Sequence, residues 1–211
     1  WSMGNVSLLH YSITPLLHYS CSTIMIDENE FFRQAALSIC SNLEIETAMF
    51  SCFEILQQVM PVDRIQLELY KPEMRSVQII ATVTASESKR ENKLISLPKE
   101  FDELADQSLQ DRKGSVIIYD EDYTKWEPVL TYVTQLADFT PTSIMDLALK
   151  YEGKYSGGLT LFSEGEETFT QKHAALLSLL QKPFEISLAN YFTHSEVVNL
   201  KNMLADDNRY L

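Results

Sequence analysis

Polar side chains alternate with leucines along stretches of the chain that have the two-residue period of β-strands. Five of them each lie next to a leucine: Gln66, Glu68, Tyr70, Asp146 and Thr160. Because successive side chains of a strand point to opposite faces, we expect the polar groups on one face and the leucines in the core. Polar groups on a covered face need hydrogen-bond partners. A small-molecule ligand or trapped water would supply them.

An irregular segment, residues 120–142, is rich in aromatic and acidic side chains. Aromatic walls with a few polar groups are typical of small-molecule pockets, so we expect this segment to cover the polar face of the sheet. The complete predicted ligand-binding set is Gln66, Glu68, Tyr70, Asp120, Tyr123, Trp126, Tyr132, Asp146 and Thr160. The alternative is a filled hydrophobic core with solvated acidic groups at its rim.

Catalytic and metal-binding constellations are not predicted. The four histidines fall in two places, His10 and His18 near the start and His173 and His194 in the last helix. The three cysteines, Cys21, Cys40 and Cys52, form neither a Cys-x-x-Cys pair nor a Cys/His cluster, which is typical of reduced thiols in a cytosol. Cys40, Cys52 and Asp146 would be the candidate ligands if the chain held a non-haem iron. No glycine-rich phosphate loop is present.

The charge of the chain excludes two classes of partner. It has 211 residues and a formal net charge of −13, whereas phosphate backbones and anionic membrane surfaces require a basic face. Residues 1–24 contain no Lys, Arg, Asp or Glu. They lack the positive start of a signal peptide, and polar residues interrupt them too often for a membrane span. We predict a cytoplasmic domain.

The hydrophobic periods predict an α+β domain. Helices are expected over residues 30–41, 44–60 and 99–111 and near 129–137, with Pro61 ending the second. Strands are expected over residues 65–70, 77–83, 115–119, 144–151 and 155–162, with a short edge strand at 94–97 after an exposed loop at 86–93. Thr170 is the expected N-cap of a final helix, which Phe169 staples and Pro183 kinks. Hairpins dominate, so the sheet is antiparallel with the terminal helices on one face.

Three stretches in this order resemble a GAF domain. They are GSVIIYD at 114–120, the hairpin around SIMDLAL at 143–149 and GGLTL at 157–161, and the helix that begins with FT at 169–170. The resemblance covers roughly residues 28–193 and implies a GAF-like sheet (related to profilin and PAS folds) with a ligand pocket between the sheet and its covering segments. The Asn-Lys-Phe-Asp-Glu set of cyclic-nucleotide-binding members is missing. No cysteine after Cys52 could attach a bilin.

The tail, residues 200–211, resembles the helix that joins a sensor domain to the AAA+ ATPase domain of NtrC-type activators, which depend on sigma-N. That resemblance implies an ATPase domain and a DNA-binding domain outside this chain. Val197, Leu200, Leu204 and Leu211 are spaced like a short heptad seam and predict a homodimer.

Two functions remain open at this point. The first is a signal-sensing domain of a bacterial transcription regulator that binds a small molecule. The sequence identifies neither this molecule nor any cofactor. The second is a ligand-free dimerisation scaffold. Neither is an enzyme. The predicted organisation is an appendage at 1–24, the sensor domain at 25–193 and a helical linker at 194–211.

Overall fold

A single six-stranded antiparallel sheet organises the chain. In the computed structural model, the described residues are 27–97, 99, 115–119, 127–137 and 139–207. The strands are β1 Arg64–Lys71, β2 Ser76–Thr84, β3 Ser88–Ser96, β4 Val116–Tyr119, β5 Ser143–Tyr151 and β6 Lys154–Ser163. Their order across the sheet is β3-β2-β1-β6-β5-β4, and every neighbouring pair is antiparallel. The predicted α+β architecture is confirmed.

Five described α-helices cover the two faces of this sheet unequally. They are α1 Glu28–Cys40, α2 Ile45–Leu56, α3 Glu127–Ala137, α4 Gln171–Leu179 and α5 Gln181–Asp207. Apolar residues of α1, α2, α4 and α5 pack on one face, here called the helical face. Residues of α3 pack on the other. This second face is here called the ligand face, because the sequence predicts a ligand site there. The predicted arrangement of terminal helices on one side and a covering helix on the other is confirmed.

The leucines that alternate with the polar site residues lie in the core of the helical face. Leu67, Leu147 and Leu159 are completely buried there. They pack with apolar side chains of the helices, such as Phe53 of α2 and Phe184 of α5. Burial of each such side chain contributes about 1.5–3 kcal/mol, so the register of the strands is fixed by which side chains must point inward.

The third strand is longer than the sequence predicts. The sequence predicts an exposed loop over residues 86–93, but β3 begins at Ser88 and pairs along β2. The physical reason is its position at the edge of the sheet, where charged side chains such as Lys89 and Arg90 are compatible with strand pairing and protect the edge. The helix before β1 also ends earlier than predicted, at Leu56 rather than Met60.

The hairpin and cap predictions are confirmed in detail. Glu152 and Gly153 have φ angles of 51° and 76°, which is the geometry of the two-residue turn that suits a twisted hairpin. Thr170 caps α4 because its Oγ1 accepts the His173 amide at 3.4 Å, and His173 Nδ1 accepts the Thr170 amide at 3.2 Å. Burial, the largest cause, lowers the pKa of His173, which favours the unprotonated form that this acceptor requires.

The expected kink at Pro183 is a break between two helices. α4 ends at Leu179 and α5 begins at Gln181, because Pro183 has no amide to donate to residue 179. α5 then continues to Asp207 through the predicted domain boundary at residue 193. The described part of the chain contains no helix that is both long and apolar enough to cross a membrane. The predicted appendage lies outside the described residues, and so does the predicted helix at 99–111 apart from Lys99.

Candidate functional site

A row of polar side chains crosses the ligand face through four neighbouring strands. Thr82 of β2 pairs with Gln66 of β1, Gln66 pairs with Thr160 of β6, and Thr160 pairs with Asp146 of β5. The Thr160 hydroxyl lies 3.3 Å from Asp146 Oδ1 and donates to it. Thr82, Gln66 and Thr160 are all buried. The antiparallel register therefore brings together side chains that are up to 94 residues apart in the chain.

Glu68 lies beside this row and faces Asp146 across a glycine. It pairs with Gly158 of β6. A Cβ atom at Gly158 would lie 2.5 Å from Asp146 Oδ1, so the missing side chain is what leaves room for the Asp146 carboxylate above this strand. The result is two carboxyl groups on one face. On the strand between them Gly158 contributes no side chain, and the Thr160 hydroxyl lies beside both groups.

The Glu68 carboxyl group is the most perturbed acid at the site. Its side chain is 8% exposed. Burial and the nearby Asp146 charge raise its pKa to about 8, against the smaller opposing effects of the Thr160 and Tyr132 hydroxyls. The Tyr132 hydroxyl donates to Glu68 Oε2 at 3.4 Å. In the chain without a ligand, the Glu68 carboxyl group is therefore largely protonated near neutral pH.

Three buried oxygen atoms on this face have no hydrogen-bond partner among the described residues. They are Gln66 Oε1, Glu68 Oε1 and Thr82 Oγ1. Leaving a buried polar atom unpaired costs about 1–3 kcal/mol, and native structures contain few of them. The buried Nε of Arg64, on the same strand and face, also has no partner among the described residues. Together these atoms form a cluster of polar groups that the described part of the chain leaves unsatisfied.

The covering helix is held over the site by its last three carbonyl groups. Lys93 Nζ donates to Gln135 O at 2.7 Å, Gln66 Nε2 to Leu136 O at 2.9 Å, and Arg64 Nη1 to Ala137 O at 2.7 Å. These carbonyls have no partner within the helix, and cations near a helix C-terminus are stabilising. Arg64 also lies 4.6 Å from the centre of the Phe139 ring.

Next to the polar row, the ligand face is filled with apolar side chains. Val133, Leu136 and Ala137 of α3 pack on strand residues from four strands. These strand residues are Ile79, Ile95, Ile144 and Phe162. This packing covers one part of the ligand face with apolar side chains. The polar row and Glu68 occupy the rest of that face.

The structure brings most of the described predicted site residues together. Gln66, Glu68, Asp146 and Thr160 are neighbours in the register, and Tyr132 reaches Glu68. Tyr70 follows Glu68 on the same face and pairs with Val77. Three other predicted residues lie outside the described residues: Asp120, Tyr123 and Trp126.

Three residues of the site are additions to the sequence prediction. Arg64 shares the two-residue period of Gln66 and Glu68, which could have identified it. Thr82 alternates in the same way with Ala81 and Val83 of β2. The sequence predicts a loop at Lys93, and a loop prediction does not indicate the direction of its side chain.

The hypothetical iron ligands are not assembled. Cys52 is buried in the core of the helical face, where burial raises the pKa of its thiol. Asp146 lies on the opposite face of the sheet, and Cys40 is exposed at the end of α1. Within the described ranges, no group of three or more His, Cys, Asp and Glu residues could hold a metal ion.

A separate cavity of about 320 Å³ lies between the end of α2 and the segment after β6. Its lining includes Asp63, Glu166 and Glu167. None of its described lining residues carries a buried polar atom without a partner. It therefore lacks the feature that distinguishes the ligand face.

Comparison with known proteins identifies the fold. No family model matches the sequence, and no curated protein matches it either. Solved structures do match. The phycoerythrobilin-bound GAF domain of a cyanobacterial phytochrome is 13% identical with a TM-score of 0.55, over 82% of this chain and 100% of that one.

Two further structures have the same arrangement of strands and helices. The GAF domain of a two-component sensor histidine kinase from Bacillus halodurans is 18% identical with a TM-score of 0.52, over 73% of this chain and 99% of that one. Free methionine-R-sulfoxide reductase from Neisseria meningitidis, in complex with its substrate, is 12% identical with a TM-score of 0.55, over 79% and 91%. The sheet order, the two unequal faces and these similarities show that the chain has the GAF fold.

Proposed function

We propose that this chain is a signal-sensing domain that binds a small molecule on its ligand face. The observation that carries the proposal is the group of three buried, unpartnered oxygens of Gln66, Glu68 and Thr82 beneath the covering helix. A bound molecule with hydrogen-bond donors would satisfy them, and differential binding of this kind stabilises one conformation over another. The similar phytochrome GAF domain holds phycoerythrobilin, which supports a ligand in this fold.

The signal passes from the sheet to the long C-terminal helix. Strand β5 carries Asp146 at the site, and its next residues contact the start of α5. Gln181 Nε2 donates to Ala148 O at 3.1 Å, and the Lys150 amide donates to Glu185 Oε1 at 3.2 Å. A shift of β5 on binding changes both bonds. Coupling between two sites is typically about 1–3 kcal/mol, a range that such bonds can supply.

The output lies beyond the sensor domain. Val197, Leu200 and Leu204 of α5 are more than half exposed, and their spacing suits the seam of a two-helix coiled coil. We propose that the chain is a homodimer through this seam. Together with the resemblance of residues 200–211 to the linker of NtrC-type activators, this supports a cytoplasmic, sigma-N-dependent transcription regulator with an AAA+ ATPase domain. DNA binding belongs to another part of that regulator, because this chain is acidic.

The second candidate is a dimerisation scaffold without a ligand. Two observations favour it. Apolar side chains of α3 and four strands fill part of the ligand face, and the exposed leucines of α5 provide an interface independent of any pocket. The scaffold, however, leaves the three buried oxygens without partners.

We propose no catalytic role, although one similar structure is an enzyme in complex with its substrate. The described part of the ligand face carries no cysteine or histidine that could act as a nucleophile or base. Cys52 belongs to the opposite core.

A thermal-shift screen of small metabolites tests the proposal. Free ligand at one hundred times its Kd stabilises the folded state by about 2.7 kcal/mol, which corresponds to a rise of about 5–10 °C in Tm. The rise should grow with concentration and shrink in Asp146→Asn. The control variant Glu152→Gln removes an exposed charge from the same hairpin and should respond like the wild type. No concentration-dependent stabilisation by any compound would favour the scaffold.

A further inference from the structure

We propose that the ligand face binds a small organic cation that carries N–H donors, held by Glu68 and Gln66 with Asp146 beside them. This inference rests on the proposed sensing function and adds the chemical class of the ligand. A primary ammonium, amidinium or guanidinium group has the required donors and charge.

The first argument is that Gln66 Oε1 can only accept, although the same face also leaves the Nε donor of Arg64 without a partner among the described residues. The side-chain amide nitrogen of Gln66 donates to the backbone carbonyl of Leu136, and a backbone carbonyl can only accept. The orientation of the side-chain amide is thereby fixed, and Oε1 remains available. Glu68 Oε1 accepts hydrogen bonds when the acid is ionised, and Thr82 Oγ1 can accept as well. A ligand that satisfies Gln66 must therefore be a donor.

The second argument is the charge of the face. Glu68 and Asp146 are close enough for the Asp146 charge to raise the pKa of Glu68. The cations on the same face have other contacts. Arg64 donates through Nη1 to Ala137 O and lies over the Phe139 ring, with its Nε left without a described partner, and Lys93 Nζ donates to Gln135 O. Among described residues, no cation contributes to the pKa of Glu68. A bound cation would offset the repulsion between the two carboxyl groups.

The third argument is the surrounding chemistry of Glu68. The charged and titratable groups near it are Asp146 from β5, Tyr132 from α3, Lys93 from β3, and Arg64 and Tyr70 on its own strand. The neighbouring strand positions on β2 and β6 carry Ile79, Thr82, Gly158 and Thr160, which do not titrate. Burial and the Asp146 charge raise the pKa of Glu68 to about 8. A cation that binds the ionised carboxylate should therefore displace its proton below that pH.

Two series of compounds with matched shapes and different charges test this class on the full chain. One is benzamidine, benzamide and benzoate; the other is n-butylamine, n-butanol and butyrate. Titration calorimetry in two buffers of different ionisation enthalpy measures affinity and proton release together. We expect at least one of the two cations to bind roughly tenfold or more tightly than its neutral and anionic analogues. Near neutral pH it should release close to one proton, and its affinity should rise about tenfold per pH unit below about pH 8.

Two substitutions locate the binding. Glu68→Gln keeps the shape and removes the charge, so it should reduce cation affinity at least about tenfold and abolish proton release. Glu73→Gln removes a charge from the exposed turn that follows β1, and affinity should stay within about twofold. If Glu68→Gln does not fold, proton release by the wild type on cation binding still tests the proposal. Release of close to one proton near neutral pH supports it, and no release overturns it.

The outcomes separate the two proposals. Tighter binding of the neutral or anionic analogue at this face, or cation binding unchanged in Glu68→Gln, overturns the cation class and leaves the sensing proposal standing. If neither series binds at millimolar concentration, the charge of the compound found by the metabolite screen decides the class. If that screen also yields nothing, the sensing proposal fails and this inference fails with it.

Discussion

Glu68 and Asp146 share one face of the sheet on strands separated only by β6, and the Asp146 carboxylate occupies the space that a side chain at Gly158 would fill. Two acidic groups in such an arrangement destabilise each other when both are ionised. Burial and the Asp146 charge raise the pKa of Glu68 to about 8, so the folded chain keeps one of the two groups largely protonated near neutral pH. Features of this kind concentrate at functional sites rather than in structural cores.

Substitution of Glu68 by Gln should change how stability depends on pH. The pKa of Glu68 is about 8 in the folded chain and near 4.5 in the unfolded chain. The contribution of the protonated Glu68 side chain to the free energy of unfolding is fully present below about pH 4.5. It is lost as the pH rises through about 8. The slope is at most about 1.4 kcal/mol per pH unit. Glu68→Gln should therefore raise the free energy of unfolding at pH 8 by at least about 1 kcal/mol.

Urea unfolding of Glu68→Gln between about pH 5 and pH 9 measures this effect, with Glu73→Gln as the exposed control. The wild type and the control should lose stability together as the pH rises, while Glu68→Gln should change less. Parallel curves for all three proteins would show that Glu68 is not protonated in the folded chain.

Substitution of Gly157 by Ala should weaken the centre of the sheet. A Cβ atom at Gly157 would overlap the backbone oxygen of Glu68, which cannot move without disturbing β1. Overpacking of this kind costs typically about 1–3 kcal/mol. Gly165→Ala is the matched control, because its Cβ would meet nothing within 4 Å. Equal midpoints of thermal unfolding for the two variants would contradict the close approach of β6 to β1.

Substitution of Arg64 by Met should loosen the covering helix while keeping most of the apolar contact of the side chain. It removes the hydrogen bond to Ala137 O and the contact with the Phe139 ring. A bond from a charged donor contributes about 1.5–3 kcal/mol. Amide hydrogen exchange in residues 127–137 should therefore become about tenfold or more faster. Lys89→Met, on the exposed edge strand, should leave that exchange unchanged, and an unaffected α3 in Arg64→Met would refute the anchoring role.

Charges introduced into the exposed seam of α5 should separate a dimer. Leu200→Glu and Leu204→Glu place like charges opposite each other in a parallel pair of helices. Light scattering after size exclusion should show a dimer for the wild type and a monomer for the double variant. Leu43→Glu substitutes another exposed leucine, outside the helix, and should remain dimeric. A wild-type protein that is monomeric at high concentration would contradict the proposed dimer.

The sequence predicts the sheet and its two faces well because burial enforces the two-residue period. Leu67, Leu147 and Leu159 had to point into the core, and their polar neighbours then had to point away from it. The same logic works for Thr170, whose cap is a local interaction with His173.

Two features depend on contacts between distant parts of the chain, and the sequence could not predict them. Lys93 belongs to an edge strand whose charged residues have no hydrophobic period, so only pairing with β2 shows that it reaches α3. The proximity of Glu68 to Asp146 depends on the register across β6, which no local pattern encodes. The site was predicted as a set of polar residues, and its anchoring by Arg64 and Lys93 became visible only in the structure.

The most direct test of the central claim is electron density for the best-stabilising compound from the metabolite screen, bound to crystals of this chain. We predict density on the ligand face, with donor atoms within hydrogen-bond distance of Gln66 Oε1 and Glu68 Oε1. Density for the compound in the cavity near Asp63 and Glu166 instead, with Gln66 and Glu68 contacting only water, would contradict the account.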